Sequence, residues 1–398
     1  MLYHLKFLSE LWGPFRMMGS HLLLISFAAI AAAILCCKFL PRLARRLPCD
    51  RGKAFVKDGA LSKGKPTGIG YYMVLLSLPV LILVLPFFPA NTDEAATFGE
   101  LLSRLGTLAS DPSQWHLLLN RQWGIVFCLF ASMMTGYLDD KSIVPWGPIK
   151  KGLLDLAICF SAALILCRFH AVDIWLPFVK STVTLSWPLY SILATLILWV
   201  SMNATNCTDG VDGLAGSLTL ISLFGSAAFL YGIVGHEQIA QYLLIPHNPE
   251  GARWAILCSA YGGVTAGYLW HNAHPSSMLM GDAGSRPLGL LAGVAALVSG
   301  NPFVILVMFP VVILDGFTGV LKMAFLKVMN AIHVNTGSQN GDNSNVHWIF
   351  RLVRSIRCPL HDHLKVKYNW SPGQILLRFV LIQAGLMPLL FFLLVKIR

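Results

Sequence analysis

The chain has 398 residues, of which 56% are hydrophobic and 12% are charged, and its mean hydropathy is +0.65. A composition this apolar, without a long polar stretch, excludes an ordinary soluble protein and predicts a single integral membrane domain over residues 1–398. The net charge of +11 would suggest a nucleic-acid partner for a soluble chain. In a membrane protein it indicates basic loops that face anionic lipid and an anionic substrate, with no nucleic acid.

Ten apolar runs have about the 17 to 25 residues needed to cross a bilayer. In chain order they cover residues 20–41, 69–89, 121–138, 152–169, 184–201, 214–234, 253–270, 286–300, 302–326 and 374–395. The first resembles a signal peptide, but its basic cluster follows the apolar stretch, so it is kept as a span with the N-terminus outside. The prediction is an all-α integral membrane protein with about ten transmembrane helices and both termini outside.

Lysine and arginine accumulate in the first, third and ninth connections, which sets the orientation because cytoplasmic loops are enriched in these residues. The basic residues are Arg42, Arg45, Arg46, Arg51, Lys53, Lys57, Lys63, Lys65, Lys141, Lys150, Lys151, Arg351, Arg354, Arg357, Lys365 and Lys367. The odd-numbered connections are therefore predicted to face the cytoplasm.

Carboxylates occur near the ends of several apolar runs, where each would cost several kcal/mol unless it faced water, a metal or a partner. They are Asp139, Asp140, Asp209, Asp212, Asp282 and Asp315. All except Asp315 fall in odd-numbered connections, so phosphate or headgroup chemistry is predicted on the cytoplasmic face. A transporter usually carries charges at mid-span in repeated halves. The spans show no repeat and no mid-span charge apart from Asp315, which favours an interfacial enzyme over a transporter or channel.

Two acidic motifs suggest a metal or nucleotide site. Asp139-Asp140 closes the third span and suits Mg²⁺, although a solvated helix end is the more frequent role of a bare pair. Residues 203–213 are predicted to be a loop between spans five and six, with polar groups suited to a nucleoside or sugar. The alternatives there are a polar turn that caps the next helix, or a calcium loop, whose terminal glutamate is missing.

Two further motifs suggest phosphate contacts. Asp282, in the segment 280–285, precedes the eighth span, where a helix start favours an anion, although it could also serve as an N-cap. His361 and His363 lie in the basic ninth connection. Further zinc ligands are lacking nearby, so phosphate contact or proton transfer is favoured for this pair.

With these motifs in order, the chain resembles the polyprenyl-phosphate N-acetylhexosamine-1-phosphate transferases (glycosyltransferase family 4), and within them the phospho-N-acetylmuramoyl-pentapeptide transferases. The resemblance covers nearly the whole chain. It is carried by Pro66-Thr67 with Gly70, Asp139-Asp140, Lys151-Gly152-Leu153, residues 203–215, Gly281-Asp282 with Gly284-Ser285, and residues 359–363.

The resemblance implies a ten-helix enzyme, usually a homodimer, in the bacterial cytoplasmic (inner) membrane. It implies transfer of phospho-MurNAc-pentapeptide from UDP-MurNAc-pentapeptide to undecaprenyl phosphate, which gives the first lipid intermediate of peptidoglycan, releases UMP and needs Mg²⁺. Phosphoryl transfer between two anions requires charge neutralisation and alignment more than covalent help from the protein, which fits an acidic and basic site at a membrane surface.

The resemblance also implies residue roles. Asp282 and one of Asp139 and Asp140, for which we choose Asp140, would hold Mg²⁺, while the other aspartate would deprotonate or orient the lipid phosphate. His361 would lie close to the diphosphate or sugar. Span nine, with Asp315-Gly316, would be a bent helix bordering a lipid groove, unless Asp315 serves a hydrogen bond between helices. The implied substrate-binding residues are Lys63, Lys65, Thr67, Lys151, Asn203, Asn206, Asp209, Asp212, Leu279 and His363.

Several positions depart from the family pattern and concern the substrate more than the reaction. Leu279 stands where an aromatic ring usually stacks on uracil, which removes about 1 to 3 kcal/mol of stacking. The other departures are Asp362, Lys365, Ile158 and Arg286-Pro287. Three hypotheses follow: the pentapeptide transferase, a related transferase of GlcNAc-1-phosphate or another UDP-sugar, and a catalytically weakened paralogue that acts as a membrane scaffold.

Overall fold

The computed structural model describes residues 1–396 except residues 10, 51–61, 91–92, 94, 96, 119, 143, 145, 178, 180 and 336–356. Some of the basic residues that set the predicted orientation lie outside the described residues, namely Arg51, Lys53, Lys57, Arg351 and Arg354.

Helices make up most of the described chain. The first half contains α1 His21–Ala44, α2 Gly70–Val84, α3 Phe98–Ser110, α4 Trp115–Leu118, α5 Arg121–Lys141, α6 Pro148–Cys167, α7 Trp187–Thr208 and α8 Leu214–Phe229. The second half contains α9 Glu237–Tyr242, α10 Gly251–Asn272, α11 Asp282–Val298, α12 Val304–Met308, α13 Pro310–Asn335, α14 Leu360–Lys367 and α15 Pro372–Lys396. Short 3-10 segments cover Leu2–Leu8, Gly13–Gly19 and Pro112–Gln114, and a π turn covers Leu230–Val234.

Each predicted apolar run coincides with one of these helices, or with two in the case of the ninth. Four segments in the described chain are long and apolar enough to cross a membrane: α1, α7, α8 with its π turn, and α15. The prediction of an α-helical membrane protein is confirmed at this level.

A short β-hairpin between α6 and α7 departs from the all-α prediction. Strand β1 Val172–Ile174 pairs antiparallel with β2 Val183–Leu185, with Val172 opposite Leu185. Trp175 follows β1 and is fully buried, and its indole N–H donates to the Ser299 carbonyl at 3.0 Å. Strands of three residues are too short for an alternating pattern to distinguish them from a loop.

The predicted loop at residues 203–213 is wrong in its first half, because α7 continues to Thr208. Asn203 donates its amide to the Trp199 carbonyl at 2.9 Å. The hydroxyls of Thr205 and Thr208 likewise bond to carbonyls four residues earlier. Polar side chains that return to their own helix in this way allow it to extend beyond its apolar part.

The ninth run is interrupted at Phe309, between α12 and α13. Pro310 has no N–H to donate, so helical hydrogen bonding is lost at this point. Gln383 of α15 accepts from the Val311 N–H at 3.1 Å and donates to the Met308 carbonyl at 3.1 Å. The buried backbone groups next to the break are therefore satisfied by a side chain from a neighbouring helix.

Helix α11 lies at the centre of the fold, with every residue from Ala283 to Val298 buried. Its glycines explain this position: a Cβ at Gly289 would meet the Ser201 carbonyl oxygen of α7 at 2.6 Å, and one at Gly293 would meet the Leu198 side chain at 2.9 Å, so the two helices approach closely. The short, glycine-rich eighth run is thus a buried core helix. Its N-terminus carries Asp282 and is held in place by the packing of the rest of the helix.

Candidate active site

A cleft of about 960 Å³ opens where α5 and α7 end, α11 begins and α14 packs against them. Most of the predicted site residues share it. The lining includes Lys65, Thr67, Asp139, Asp140, Lys151, Asn206, Asp209, Asp212, Leu279, Asp282 and His361. Residues that are far apart in sequence therefore meet at one end of the helix bundle.

Three of the predicted substrate-binding residues are not among the residues that line this cleft. Asn203 is hydrogen-bonded within α7, as described above. His363 accepts a hydrogen bond at Nδ1 from the Arg357 N–H at 3.2 Å. Lys63 is exposed in a turn before the cleft. For these residues the structure gives no contact that would support direct substrate binding.

Asp140 joins the end of α5 to the start of α11. Its carboxylate accepts hydrogen bonds from the N–H of Asp282 at 3.2 Å and from the N–H of Ala283 at 3.1 Å. These are the unpaired donors of a helix N-terminus, which favours a negative charge. Gly281 has φ +70°, and a Cβ there would collide with the Asp140 carboxylate, so this approach requires glycine.

Lys151 of α6 lies between two carboxylates of the cleft. Its Nζ forms an ion pair with Asp139 Oδ2 and lies 3.5 Å from Asp282 Oδ2. Asp139 also accepts from the Trp146 N–H at 2.8 Å. The first aspartate of the pair is thus held by a cation and a backbone donor, whereas Asp140 faces Asp282.

The two facing carboxylates differ in their acidity. Burial and the neighbouring Asp282 carboxylate raise the pKa of Asp140 to about 7. Burial alone would also raise the pKa of Asp282, but Arg286 and Lys151 outweigh burial and hold it below its usual value. Asp282 is therefore ionised at neutral pH, while Asp140 exchanges its proton near neutrality.

The donor set fits Mg²⁺ shared with a substrate. Among the described residues, no three acidic, histidine or cysteine side chains are grouped as a complete metal cage. Mg²⁺ does not need one, because it commonly takes one or two carboxylates together with waters and substrate phosphates. Asp140 and Asp282, which meet at the start of α11, supply oxygen donors of this kind.

Asp212 fixes the loop that leads into α11. It accepts hydrogen bonds from the Ser276 hydroxyl at 2.8 Å and the Ser276 N–H at 3.1 Å, and it contacts His274 Nδ1 at 3.1 Å. Burial favours a higher pKa for Asp212, but these hydrogen bonds outweigh it and hold the pKa below its usual value. Lys65 Nζ adds a contact at 3.8 Å. Asp212 therefore shapes the cleft wall near Leu279.

His361 is paired with Asp315, a partnership that the sequence did not predict. The Asp315 carboxylate lies 2.8 Å from His361 Nδ1 and accepts from the His361 backbone N–H at 2.8 Å. Both side chains are buried. On the other side of the ring, a Cβ at Gly210 would collide with Nε2. The imidazole is thus held between α13 and the loop after α7.

Two residues next to the Asp315–His361 pair make contacts that the sequence did not predict. Gly316, which was expected to border a lipid groove, packs directly on the backbone of Ala204 in α7. Lys365, one of the departures from the family pattern named above, is buried and donates to the Gly210 carbonyl at 3.2 Å. It also lines the cleft, so it adds a positive charge that the motifs did not predict.

Two charged residues near the starts of apolar runs form a pair that the sequence analysis did not predict. Asp155 lies near the start of the fourth run and Arg286 at the start of the eighth, and both are buried. They form an ion pair, with Arg286 Nη1 at 3.2 Å from Asp155 Oδ1. Because an intramembrane charge usually pairs with an opposite one, two such residues in separate runs are a signal that could have revealed this pair.

Comparisons with known proteins show the family to which the chain belongs. The model of glycosyl transferase family 4 matches residues 122–300. The phospho-N-acetylmuramoyl-pentapeptide-transferases of two Treponema pallidum strains, one of them the Nichols strain, are each 38% identical to the chain over 398 residues. The alignment covers 98% of the chain and 96% of each relative. The matched region contains Asp139, Asp140 and Asp282 of the cleft.

Proposed function

Because the chain belongs to the phospho-N-acetylmuramoyl-pentapeptide-transferase family, we propose that it transfers phospho-MurNAc-pentapeptide from UDP-MurNAc-pentapeptide to undecaprenyl phosphate, with release of UMP. The chain is then a phosphoglycosyl transferase of peptidoglycan synthesis. The observation that carries the proposal is the meeting of Asp140, Asp282, Lys151 and His361 in one cleft. Carboxylates for a cation, with basic groups beside them, are what phosphoryl transfer between two anions requires.

The diphosphate of the donor is placed at the start of α11. Asp140 and Asp282 would hold Mg²⁺ there, which would supply neutralisation of the diphosphate charge. Lys151 reaches the same point, since its Nζ lies 3.5 Å from Asp282 Oδ2. When substrate binds, this ammonium is positioned to contact a phosphate oxygen. Asp139 keeps Lys151 in place through their ion pair.

The uridine end of the donor is placed between the end of α7 and the loop before α11. Asn206, Asp209 and Leu279 line this part of the cleft. Asn206 Oδ1 already accepts from the Ser285 hydroxyl at 3.1 Å, which leaves its amide group to donate. Asp212 acts through the loop that it holds.

His361 is assigned to the diphosphate or sugar. Its Nδ1 is engaged by Asp315, so Nε2 is the ring atom that would meet substrate or exchange a proton. Thr67, Lys65 and Lys365 complete the polar rim of the cleft.

The setting of the enzyme is also part of the proposal: the bacterial cytoplasmic membrane, about ten transmembrane helices and a cleft on the cytoplasmic side. The support is the coincidence of every apolar run with a helix, and the basic residues Lys65, Lys151 and Lys365 at the cleft. The orientation is tested by introducing cysteines at Ser142 near the cleft and at Glu237 in the sixth connection. They are labelled with a membrane-impermeant thiol reagent, in intact cells and after permeabilisation. Labelling of Ser142→Cys from outside would overturn it.

A homodimer is proposed from family membership. Cross-linking in native membranes, followed by denaturing electrophoresis, is expected to trap a species of twice the chain's mass. A monomer at all cross-linker concentrations would contradict this part of the proposal.

The donor is tested with purified full-length protein, Mg²⁺, undecaprenyl phosphate and a panel of UDP-sugars. Of the donors in the panel, only UDP-MurNAc-pentapeptide is expected to give UMP release. Release with UDP-GlcNAc would select the second candidate, a transferase of a smaller sugar phosphate, which Leu279 favours because the usual stacking ring is missing. Release with no donor in the panel would overturn the proposed function and leave the membrane scaffold.

A further inference from the structure

Arg286 places a fixed positive charge within the carboxylate cluster. Its Nη2 lies 2.6 Å from Asp282 Oδ2 and 3.9 Å from Asp139 Oδ2. The side chain is 2% exposed, so it cannot turn into the solvent. Arginine at this position is therefore part of the site, although it does not line the open cleft.

Asp155 holds the guanidinium from the opposite side. Its Oδ1 lies 3.2 Å from Arg286 Nη1, and the carboxylate is also 2% exposed. Arg286 Nε has no hydrogen-bond partner among the described residues. The orientation of the side chain thus depends on the carboxylates at its two terminal nitrogens, one in α6 and one at the start of α11.

Arg286 and a divalent cation would compete for Asp282. The guanidinium occupies Oδ2, which turns that oxygen away from a metal and leaves Oδ1. It also brings a positive charge next to Asp282, which would repel a cation held by this carboxylate. Lys151 adds to this repulsion, but it is 28% exposed and can move to a phosphate, whereas Arg286 is held by Asp155.

We propose that Arg286, held by Asp155, is a positioning residue that fixes Asp282 and weakens its affinity for the divalent cation in the absence of substrate. The substrate diphosphate then provides the missing negative charge, so that cation and donor bind together. This inference rests on the proposed function, because it assigns Asp282 to the metal.

A double variant separates this role from a purely structural ion pair. Replacing both residues, Asp155→Leu with Arg286→Met, removes one charge of each sign and leaves the net charge of the cluster unchanged. Replacing a buried ion pair by apolar residues is often neutral for stability. A pair that serves packing alone would therefore be replaced without any effect on metal binding.

The measurement is Mn²⁺ binding to the full-length protein in detergent, by electron paramagnetic resonance without nucleotide. The double variant is expected to bind Mn²⁺ about tenfold more tightly than the wild type, because the adjacent cation is gone. Arg286→Lys, which keeps the positive charge but not both terminal contacts, serves as the matched control and should gain less Mn²⁺ affinity than the double variant. Mn²⁺ affinity that is unchanged or weaker in a folded double variant overturns the proposal, as does binding to neither protein.

A second variant keeps the test decisive if the double variant does not fold. Asp155→Asn removes the anion that offsets the charge of Arg286, so the positive charge beside Asp282 acts more strongly on a cation, and Mn²⁺ affinity is expected to fall at least about threefold. Unchanged affinity in Asp155→Asn overturns the proposal. UMP release by the wild type is measured in parallel. If the wild type is active but these affinities do not change as stated, the inference fails and the proposed function stands.

Discussion

Asp315 lies directly against His361, with a carboxylate oxygen 2.8 Å from Nδ1 and the other accepting from the His361 backbone N–H. The two residues come from α13 and α14, and they join the interrupted ninth helix to the cleft. A buried carboxylate on one ring nitrogen fixes the orientation of the imidazole and the tautomer at the other. This pair therefore fixes the orientation of the ring whose Nε2 is proposed to meet the substrate.

We predict that Asp315→Asn lowers kcat about 10- to 100-fold, because the amide no longer favours the same ring orientation and tautomer. KM for the donor should change less than about threefold, since Asp315 is buried and does not touch the cleft directly. Steady-state UMP release measures both. His363→Gln is the matched control, because His363 does not line the cleft. An Asp315→Asn enzyme with wild-type kcat would remove the pair from the mechanism.

We predict that Leu279→Phe strengthens binding of the UDP donor. Leu279 is half-buried in the cleft wall, and a ring there restores a stacking surface worth about 1 to 3 kcal/mol. KM for the donor should fall about tenfold, with little change in kcat. Substituting Leu244, an exposed leucine outside the cleft, by phenylalanine should leave KM unchanged. If Leu279→Phe also leaves KM unchanged, the uracil does not lie against this residue.

We predict that Gly281→Ala removes activity and destabilises the protein by about 2 kcal/mol or more, because the new Cβ requires a positive φ and collides with Asp140. Thermal unfolding in detergent measures the stability. Gly106→Ala in α3 is the control, since a Cβ there meets nothing within 4 Å. It should be neutral or slightly stabilising. Equal unfolding temperatures for the two variants would show that Asp140 and the chain around Gly281 shift to accommodate the new Cβ at little cost in stability.

Glu250 provides a pH-dependent contribution to stability at the end of α10 away from the cleft. Burial favours a higher pKa, but Arg121 and Arg168 outweigh it and hold the pKa of Glu250 below its usual value of 4.5. Because the folded value is the lower one, the contribution is fully present above about pH 4.5 and is lost as the pH falls through the folded pKa. Glu250→Gln is expected to cost about 3 kcal/mol at pH 7.

The measurement is the unfolding temperature of wild type and Glu250→Gln across a pH series. The difference in unfolding temperature between the two proteins should become steadily smaller below pH 4.5. A constant gap from about pH 7 down to about pH 3 would mean that the charge of Glu250 does not stabilise the fold.

Hydropathy and charge allowed the sequence to predict much of the fold and the shared location of Asp139, Asp140 and Asp282. Span positions follow from runs of apolar residues, and the placement of loops on one face follows from the parity of the spans. These are local or additive properties of the chain. Hydropathy does not record where a polar side chain forms its hydrogen bond, so the end of α7 was misplaced. Asn203 and Thr208 are polar, but their side chains bond within the helix.

The partnerships inside the bundle could not be predicted in the same way. Asp155 and Arg286 are 131 residues apart, and Asp315 and His361 are 46 apart, so their contacts depend on how the helices pack. Asp155 and Arg286 each look unfavourable in an apolar run when considered alone. In the folded protein their opposite charges compensate each other. Arg286, which departs from the family pattern, also contacts Asp282 of the site.

Asp140 and Asp282 are proposed to act together on one cation-bound diphosphate, and UMP release by Asp140→Asn and Asp282→Asn is the decisive measurement of this role. Asp140→Asn is expected to unfold within a few degrees of the wild type, whereas Asp282→Asn loses its ion pair with the buried Arg286 and is expected to unfold at a lower temperature while still folding. Their turnover with UDP-MurNAc-pentapeptide and undecaprenyl phosphate should fall at least about 1,000-fold, as does wild-type turnover after removal of Mg²⁺ by EDTA. Wild-type turnover in either folded variant would show that the replaced carboxylate takes no part in the reaction.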